Sequence, residues 1–384
     1  MKILLVFGTR PEAIKMAPLI NEMRENALSI KPVICITAQH RGMLDQVLRI
    51  FNISPDYDLN IMEENQDLFD VVAKILPGLK KIIKKENPDL IMVQGDTTSA
   101  FVAGLAGYYS KVPVAHVEAG LRTYNKQSPF PEEVNRHLLS VLADYHFAPT
   151  NWARNNLRRE NVDPGDIWVT GNTIIDALNM IKNAQMSRAV KKRYSDMFKD
   201  KFGIDVSGAG KKRKLILVTG HRRENFGNKF RNICMAILEI AKRRQDALVV
   251  YPVHLNPNVQ RPVRSLLSNK PNIHLIEPLD YDAFVFLMSV SYLLLTDSGG
   301  IQEEAPSFGK PVLLMRDTTE RPEGINAGVT KLVGTAKDDI VNEVLKLLDN
   351  EKAYNRIARI KNPYGDGNAS KKIIRILKKE FGCC

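Results

Sequence analysis

The chain has 384 residues, of which 44% are hydrophobic and 26% are charged, and its formal net charge is +12. This length exceeds what one hydrophobic core usually serves and favours two α/β domains, and the composition excludes a disordered or fibrous protein. The positive charge suits an anionic ligand, but the basic residues do not form the concentrated face that nucleic-acid binding requires, so we expect no nucleic-acid partner.

The first residues and the cysteines indicate neither export nor a metal site. The apolar run at residues 3–7 is too short for a signal peptide, and no run approaches the roughly 18 apolar residues that span a bilayer. The four cysteines lack the spacing of a zinc site, and Cys383 and Cys384 are the last two residues. We therefore expect a reduced, cytoplasmic protein with no metal and no membrane partner.

The first half of the chain alternates strand-length apolar runs with polar turns, which is the pattern of βα units in a parallel sheet. Several of these turns contain acidic or basic side chains. We predict a helix over residues 67–86 and strands over residues 2–7, 33–37, 89–93, 114–117, 145–148 and 167–170.

The turn after the first predicted strand, Gly8-Thr9-Arg10-Pro11, is a candidate anion-binding site. Pro11 suits the start of a helix, and Arg10 and Lys15 add positive charge there. Because ligands of open α/β sheets bind at the carboxyl ends of the strands, we favour anion binding over a capped surface helix with solvated basic residues. The turn has one glycine and lacks the G-x-G-x-x-G fingerprint of dinucleotide binding, so we expect no nicotinamide cofactor.

Carboxylates follow the later strands of this half. Glu118 comes directly after a predicted strand, Asp96 lies in the polar exit of another, three residues beyond its end, and Glu132 stands at a predicted helix start. Any one of them, taken alone, is more often a helix cap or a salt-bridge partner. Three carboxylates at successive strand exits of one domain instead favour acid–base chemistry.

The second half repeats the plan of the first. Residues 187–214 are rich in lysine, with Gly208 and Gly210 near their end, and we predict a mobile surface segment there. His221 follows the first strand after that segment. We predict a final helix over residues 370–381 and strands over residues 215–219, 247–251, 273–276, 292–296 and 312–315.

The turn Asp297-Ser298-Gly299-Gly300 is the clearest candidate phosphate site. Two glycines let backbone N–H groups approach a ligand, and a helix start favours negative charge. We predict that the helix begins at about residue 301 and ends at Gly309, which would place Glu303 and Glu304 in its first turn. The alternative is an ordinary tight turn with a charged helix start, but the polar run at residues 316–321, which contains Arg321, supports the phosphate interpretation.

Together these patterns predict two Rossmann-type domains, with boundaries at residues 1–170 and 171–362 and a C-terminal helix in residues 363–384. The first domain contributes acids, whereas His221, Arg321 and the glycine turn of the second suit an anionic leaving group, to which Arg10 of the first would add. This combination suits acid–base chemistry at a carbon next to a phosphorylated carbon.

Ten runs of the sequence resemble the non-hydrolysing UDP-N-acetylglucosamine 2-epimerases, in the same order along residues 1–369. Among them are FGTRPEAIKMAP, TAQHRGMLDQV, HVEAGLRT, SPFPEEVNR, TGHRREN, TDSGGIQEEAPSFGKPV and MRDTTERPE. The resemblance implies a GT-B fold with two Rossmann-like domains, a deep interdomain cleft and a C-terminal helix that returns to the first domain. It also implies a homodimer that interconverts UDP-GlcNAc and UDP-ManNAc without cofactor or metal, for cell-surface polysaccharide precursors.

The resemblance also implies a role for individual residues. Ser298, Gly299 and Gly300 would hold the diphosphate, with Arg10 and Arg321 nearby. Glu304 would bind the ribose and Phe284 would pack on the uracil. The acid–base residues would be Asp96, Glu118 and Glu132, with His221 stabilising the departing UDP. Residues that match an activating UDP-GlcNAc site in some bacterial members are Gln39, Arg222 and His254. The chain departs from the family pattern at Gln94 and Ala115, where His and Gly are expected, and Gly42 offers no side chain beside the activating site.

The chemistry of the sugar limits the mechanism. Its C2–H is not adjacent to a carbonyl group, so simple deprotonation is too costly. Transient oxidation would require a bound nicotinamide, whereas loss of UDP across C1–C2 would give a 2-acetamidoglucal and needs only acid–base groups and diphosphate stabilisation. Three rivals remain at this point: a GT-B glycosyltransferase, a non-catalytic sugar-nucleotide sensor that keeps the phosphate turn without the acids, and a hydrolysing epimerase that releases free ManNAc.

Overall fold

The computed structural model describes residues 1–27, 29–39, 41–63, 66–207 and 213–382. The interpretations of Gly208, Gly210, Cys383 and Cys384 fall outside these residues. The chain forms two compact units, one of Met1–Asn179 with Tyr364–Cys384 and the other of Met180–Pro363.

The first unit is built on a parallel sheet with the strand order β3-β2-β1-β4-β5-β6-β7. The strand order reverses between β1 and β4, as it does in a doubly wound sheet. The carboxyl ends of the strands on both sides of this point lie along one edge of the sheet. The predicted strands at residues 2–7, 114–117 and 145–148 are confirmed with the same bounds. The strands are β1 Lys2–Phe7, β2 Lys31–Ile36, β3 Tyr57–Asp58, β4 Leu90–Gln94, β5 Val114–Val117, β6 Tyr145–Ala148 and β7 Ile167–Val169.

Helices cover both faces of this sheet, so its central strands are buried and read as continuous apolar runs. Residues of β1 and β4 pack in one core with the apolar faces of two of these helices, α3 and α4. The helices are α1 Arg10–Asn26, α2 Arg41–Ile50, α3 Leu68–Glu86, α4 Thr98–Tyr109, α5 Glu132–Leu142, α6 Asn151–Arg159, α7 Thr173–Ala184 and, from the end of the chain, α16 Ala369–Glu380.

The C-terminal helix α16 packs against α1, as expected for a helix that returns to the first unit. The first unit continues through Asn179, past the predicted boundary at residue 170. It does so because Asp176 of α7 accepts hydrogen bonds from the backbone N–H groups of Ala369 and Ser370, which join the start of α7 to α16.

The second unit has a six-stranded parallel sheet with the order β10-β9-β8-β11-β12-β13. Its strands are β8 Lys214–Thr219, β9 Ala247–Pro252, β10 Ile273–Ile276, β11 Leu293–Thr296, β12 Val312–Leu314 and β13 Thr330–Leu332. Its helices are α8 Arg188–Phe202, α9 Asn228–Arg243, α10 Pro257–Leu267, α11 Tyr281–Val290, α12 Gly299–Glu304, α13 Pro322–Ala327, α14 Lys337–Asp349 and α15 Glu351–Ala358.

The prediction of a mobile surface segment over residues 187–214 is wrong for most of its length, because α8 occupies Arg188–Phe202. Ser187 caps the helix start by accepting from the backbone N–H of Val190, and Gly203 ends the helix in a left-handed conformation. The lysines mask an apolar face at helical spacing. Tyr194 and Phe198 are buried, because this face packs on the second unit's core.

The predicted start of the helix after the glycine turn is also wrong. Helix α12 begins at Gly299, directly after Ser298, whose backbone N–H donates to the Thr296 hydroxyl. Glu303 and Glu304 therefore lie in the last turn of this short helix and not in its first. A 3₁₀ helix over Ala305–Phe308 continues directly from α12, and the predicted end at Gly309 is confirmed by the left-handed backbone there, with φ of 63°.

In the described parts of the chain, no helix is both long enough and apolar enough to cross a bilayer.

Candidate active site

Asp96 lies two residues beyond the end of β4 in the first unit and forms an ion pair with Arg136 of α5. Arg136 is buried, whereas the side chain of Asp96 keeps 25% exposure. The turn is fixed a second time by Asn135, whose amide donates to the backbone carbonyl of Asp96 at 3.0 Å. The Asp96 carboxylate is therefore paired with a buried cation and still contacts solvent.

The adjacent acids at the start of α5 have different surroundings. Glu133 is almost fully buried and accepts from the backbone N–H groups of Thr123 and Tyr124, at 2.9 and 2.7 Å, and from Arg136 at 3.2 Å. It therefore anchors the preceding loop. Glu132, the first residue of the helix, is only partly buried. Of the two, Glu132 is the more exposed.

Glu118 is placed by an unusual backbone. It follows β5 with φ of 67°, a left-handed conformation that is rare for residues with a side chain and that marks functional positions. Its side chain is buried, pairs with the ammonium of Lys15 and accepts from the amide of Asn172 at 2.8 Å. Lys15 is thus buried against a carboxylate and does not lie on the surface of α1.

Glu12, in the first turn of α1, accepts hydrogen bonds from the turn that precedes this helix. Glu12 accepts from the backbone N–H groups of Gly8 and Thr9, at 2.9 and 2.8 Å, and from the Thr9 hydroxyl. Burial raises the pKa of Glu12 above 4.5, and these hydrogen bonds oppose the rise. Arg10, the first residue of α1, is partly exposed beside this closed turn.

Gln39 also lies at the strand exits of the first unit. Its side-chain oxygen accepts from the hydroxyl of Ser99 at 2.9 Å, and Ser99 in turn contacts Thr37. Arg222 and His254, the two other residues matched to the activating site, belong to the second unit.

Two buried histidines lie beneath the acids of the first unit. His116 of β5 and His146 of β6 are register partners, and the Nε2 atom of His116 lies 2.7 Å from the carbonyl oxygen of Gly95. Burial lowers the pKa of His116 to about 4 and that of His146 to about 3. Both imidazoles are therefore neutral at neutral pH, and His116 donates to the residue that precedes Asp96.

In the second unit, Arg321 lies against the predicted phosphate turn. A methyl group on Gly299 would stand 2.7 Å from Nη1 of Arg321, so the guanidinium occupies the space that the glycine leaves open. Glu304 is close as well, since a methyl group on Gly300 would stand 3.8 Å from its Oε1 atom. Ser298, both glycines, Glu304 and Arg321 therefore form one cluster.

Arg321 is itself held by two buried acids. Its Nε donates to Glu303 at 2.6 Å, and its Nη1 contacts Glu320. Glu320 also accepts from Arg316 at 2.9 Å. Burial favours the neutral form of Glu320, but the positive charges of Arg321, Arg316 and Arg222 outweigh it and lower the pKa of Glu320 far below 4.5.

His221 is positioned by Asp297, the residue just before the phosphate turn. The buried Asp297 carboxylate accepts from the backbone N–H groups of His221 and Arg222, both at 2.9 Å, and from the amide of Asn225 at 3.2 Å. Partial burial lowers the pKa of His221, and the negative charge of Asp297 opposes that shift. The exits of β8 and β11 thus meet at one carboxylate.

Three other predicted site residues, Phe284, Arg222 and His254, also belong to the second unit. Phe284 of α11 is partly buried against the second unit's core. An Arg222 Nη2 atom lies 3.8 Å from Glu320, and the His254 ring packs on that of His221. Within the residues that the structure describes, no group of three or more His, Cys, Asp or Glu side chains is arranged to hold a metal ion.

The sequence interpretation did not assign several residues that hold the site together. Arg136 had a detectable signal, because it follows its ion-pair partner Glu133 by three residues on one helix. Asp297 is part of the turn that was identified, and Asn172 follows a strand exit. Glu320 had no signal beyond its place in a polar run.

Comparison with known proteins shows which family and which solved structures this chain resembles. The chain matches a family model described as UDP-N-acetylglucosamine 2-epimerase over residues 21–378. A UDP-N-acetylglucosamine 2-epimerase of Campylobacter jejuni is 54% identical over 379 residues, which is 98% of this chain and 97% of the relative.

Two crystal structures are similar over nearly their whole length. UDP-GlcNAc 2-epimerase from Neisseria meningitidis, bound to UDP-GlcNAc, has 51% identity and a TM-score of 0.93, covering 99% of this chain and 100% of that one. The Methanocaldococcus jannaschii enzyme, in complex with UDP-GlcNAc and UDP, has 34% identity and a TM-score of 0.82 at coverages of 99% and 100%. The predicted fold class, two Rossmann-like units of GT-B type, is confirmed.

Proposed function

The chain belongs to the UDP-N-acetylglucosamine 2-epimerase family, and we propose that it inverts C2 of UDP-GlcNAc, giving UDP-ManNAc, by eliminating UDP and adding it back. Its activity is therefore that of an isomerase. The observation that carries the proposed mechanism is the pair of cation-held carboxylates at neighbouring strand exits, Asp96 with Arg136 and Glu118 with Lys15.

The proposed reaction has two halves that balance. A carboxylate takes the proton from C2 while the bond between C1 and the UDP oxygen breaks, and the electron pair of the C–H bond becomes the C1–C2 double bond of 2-acetamidoglucal. A second acid then delivers a proton to the opposite face of C2, and UDP oxygen returns to C1. No electrons leave the sugar, so the cycle consumes no oxidant or reductant.

Asp96, Glu118 and Glu132 are the proposed acid–base residues. The first two are held next to buried cations, and a positioned acid or base contributes roughly 100- to 10,000-fold to a proton transfer. The partly buried Glu132 is proposed as the third acid–base residue, because the carboxylate of its neighbour Glu133 already accepts hydrogen bonds from the backbone.

The second unit is proposed to bind and stabilise UDP. Ser298, Gly299, Gly300 and Arg321 form a cluster of donors suited to a diphosphate, to which we add Arg10 from the first unit. Glu304, beside the same turn, is proposed to accept from the ribose hydroxyls, and Phe284 to contact the uracil. His221, held by Asp297, is proposed to stabilise the negative charge on the departing UDP.

Two further properties belong to this proposal. We propose activation by UDP-GlcNAc through Gln39, Arg222 and His254, the residues that the family resemblance matches to an activating site. UDP-ManNAc turnover that shows no dependence on added UDP-GlcNAc would refute it. We also propose that the product serves as a precursor for cell-surface polysaccharide.

We propose that the protein is a homodimer that uses the faces of α4 and α5, which pack side by side. Tyr108 and Tyr109 at the end of α4 and Val141 on α5 are exposed by 63%, 66% and 84%. Exposed apolar clusters of this kind mark association surfaces. Light scattering should give twice the chain mass of 43.3 kDa, and Tyr108→Glu should lower it. As a control, Leu255→Glu, an exposed position of the second unit, should not.

Epimerisation in heavy water tests the reaction itself. The proposed route places one deuterium at C2 of UDP-ManNAc, because the returned proton comes from a group that exchanges with solvent. Transfer through a nicotinamide would allow the original hydrogen to be retained, a glycosyltransferase would give no label at C2, and a hydrolysing enzyme would release free ManNAc. UDP-ManNAc with full protium at C2 would refute the elimination route.

A further inference from the structure

We propose that Asn172 is a positioning residue that orients the Glu118 carboxylate and connects it to the C-terminal segment, residues 364–382. This inference rests on the proposed role of Glu118. It assigns a catalytic function to the return of the chain to the first unit, because the segment would then set the geometry of an acid–base group.

The side chain of Asn172 has one arrangement that satisfies its hydrogen bonds. Its Oδ1 accepts from the backbone N–H of Ile174 at 3.1 Å, which leaves Nδ2 to donate to Oε2 of Glu118 at 2.8 Å. A flipped amide would place two donors together at Ile174 and two acceptors together at Glu118. Asn172 is 2% exposed, so water cannot substitute for either partner. The orientation of the amide is therefore fixed, and it points a donor at Glu118.

The backbone of Asn172 is bound to the C-terminal segment. Its N–H donates to the carbonyl of Tyr364 at 2.8 Å. The approach is close, because a methyl group on Gly365 would stand 3.3 Å from the same nitrogen and 3.6 Å from the Cα of Gly171. Tyr364 is buried as well. The segment thus lies directly against the residue that holds Glu118.

The same segment is attached one helical turn further along. Asp176 accepts from the backbone N–H groups of Ala369 and Ser370, at 3.2 and 2.8 Å, and so caps the start of α16. Helix α16 then packs against α1, the helix that carries Lys15. Lys15 is another partner of Glu118. Two of the groups that hold the Glu118 carboxylate therefore belong to elements that contact the C-terminal segment.

This arrangement has a consequence for Glu118. Its left-handed backbone stores strain that persists only where surrounding contacts determine the conformation. An acid–base group displaced by about 1 Å can lose roughly 100-fold in rate. Loss of the Asn172 contact should therefore reduce turnover without changing the second unit's affinity for UDP.

Asn172→Asp is the sharpest test, because an aspartate still accepts from Ile174 but places a like charge against Glu118. We expect kcat to fall roughly 10- to 100-fold, while the Kd for UDP stays within about twofold. Because like charges raise each other's pKa, the limb of the pH–rate profile that Glu118 controls should move to higher pH. The added charge alone would move that limb, so a positioning role is separated from a structural one by the double-mutant cycle with Glu118→Gln.

A double-mutant cycle with Glu118→Gln separates this inference from the role of Glu118. If Asn172 acts through Glu118, adding Asn172→Asp to Glu118→Gln should leave the residual rate within about twofold. Asp176→Asn tests the C-terminal attachment without touching the site, and it should lower kcat with UDP affinity unchanged. Asn350→Ala is the matched control, since it removes a similar hydrogen bond at the start of a distant helix, α15.

Each outcome decides one statement. Full activity of Glu118→Gln would overturn the proposed role of Glu118 and the inference with it. An inactive Glu118→Gln with wild-type kcat and pH profile in Asn172→Asp would overturn the positioning role alone. Full activity of Asp176→Asn would overturn the connection to the C-terminal segment. Should Asn172→Asp fail to fold, Asp176→Asn still decides whether the segment acts on turnover.

Discussion

The imidazole rings of His221 and His254 stack on each other, with centroids 5.3 Å apart and planes inclined by 18°. His221 is the proposed partner of departing UDP, whereas His254 is a candidate contact for an activating ligand. They follow adjacent strands, β8 and β9, of one sheet. Because one ring covers the other, a ligand that displaced His254 would be expected to change the protonation of His221.

Removing the His254 ring should raise the pKa of His221. Burial is the largest cause of its lowered pKa, and the charge of His254 adds to it, so His254→Ala should move the His221 titration toward 6.5. His254→Phe keeps the covering ring and should shift it less. NMR titration of the His221 ring in both variants provides the measurement. Identical titrations in wild type and His254→Ala would show that the stacking does not control His221.

Replacing any proposed acid–base carboxylate by its amide should reduce turnover and spare nucleotide binding. Asp96→Asn, Glu118→Gln and Glu132→Gln should each lower kcat by roughly 100-fold or more, as loss of a general acid or base does. The UDP affinity, measured by calorimetry, should stay close to wild type, because the proposed UDP contacts lie mainly in the second unit.

Glu86→Gln is the control for these variants. Glu86 ends α3, where it pairs with Lys2, the first residue of β1, at the opposite end of the sheet from the strand exits. Its kcat should match wild type. A variant of Asp96, Glu118 or Glu132 that lost UDP affinity but kept kcat would contradict the division of roles between the units.

The two glycines of the phosphate turn should respond differently to alanine. A methyl group on Gly299 would meet Nη1 and Cζ of Arg321 at 2.7 and 3.1 Å, whereas one on Gly300 would lie 3.8 Å from Oε1 of Glu304. Gly299→Ala should therefore displace Arg321, lower the melting temperature and weaken UDP binding by about 10-fold, the loss of one charge-assisted contact. Gly300→Ala should keep the melting temperature within a few degrees. Equal melting temperatures would contradict this packing.

Acid should destabilise the first unit through His116. The unfolded imidazole binds a proton near pH 6.5, but the folded one does so only near pH 4, so stability is lost as pH falls from 6.5 to about 4. This difference in pKa corresponds to a loss of about 3 kcal/mol in the free energy of unfolding. His116→Phe should be less stable at pH 7, where it loses the Gly95 contact, but should lose less on acidification. The measurement is the free energy of unfolding by urea for wild type and His116→Phe between pH 7 and pH 4.5. An equal loss in the two proteins would contradict the prediction.

Local sequence patterns account for most of the strands. Runs such as residues 2–7 and 114–117 are apolar throughout because the central strands are covered on both faces, and polar turn residues mark their ends. Helix α8 was not predicted, because its lysines mask the buried face that contains Tyr194 and Phe198. Its apolar spacing is visible only once the core of the second unit shows which residues lie inside.

By itself, the sequence determined the two series of βα units, the polar strand exits and the motifs that indicate the family, since all of these depend on short-range order. Only the tertiary structure shows which acidic side chains form ion pairs and hydrogen bonds, and which residues are their partners. Asn172 reaches Glu118 across 54 positions of sequence, and Tyr364 reaches Asn172 from the far end of the chain. Glu132 and Glu133 are neighbours of the same residue type, and the fold decides that Glu133 is the one that accepts from the backbone of Thr123 and Tyr124. These contacts depend on the order and register of strands in the sheet, which bring distant turns to one edge, and no local pattern encodes that proximity.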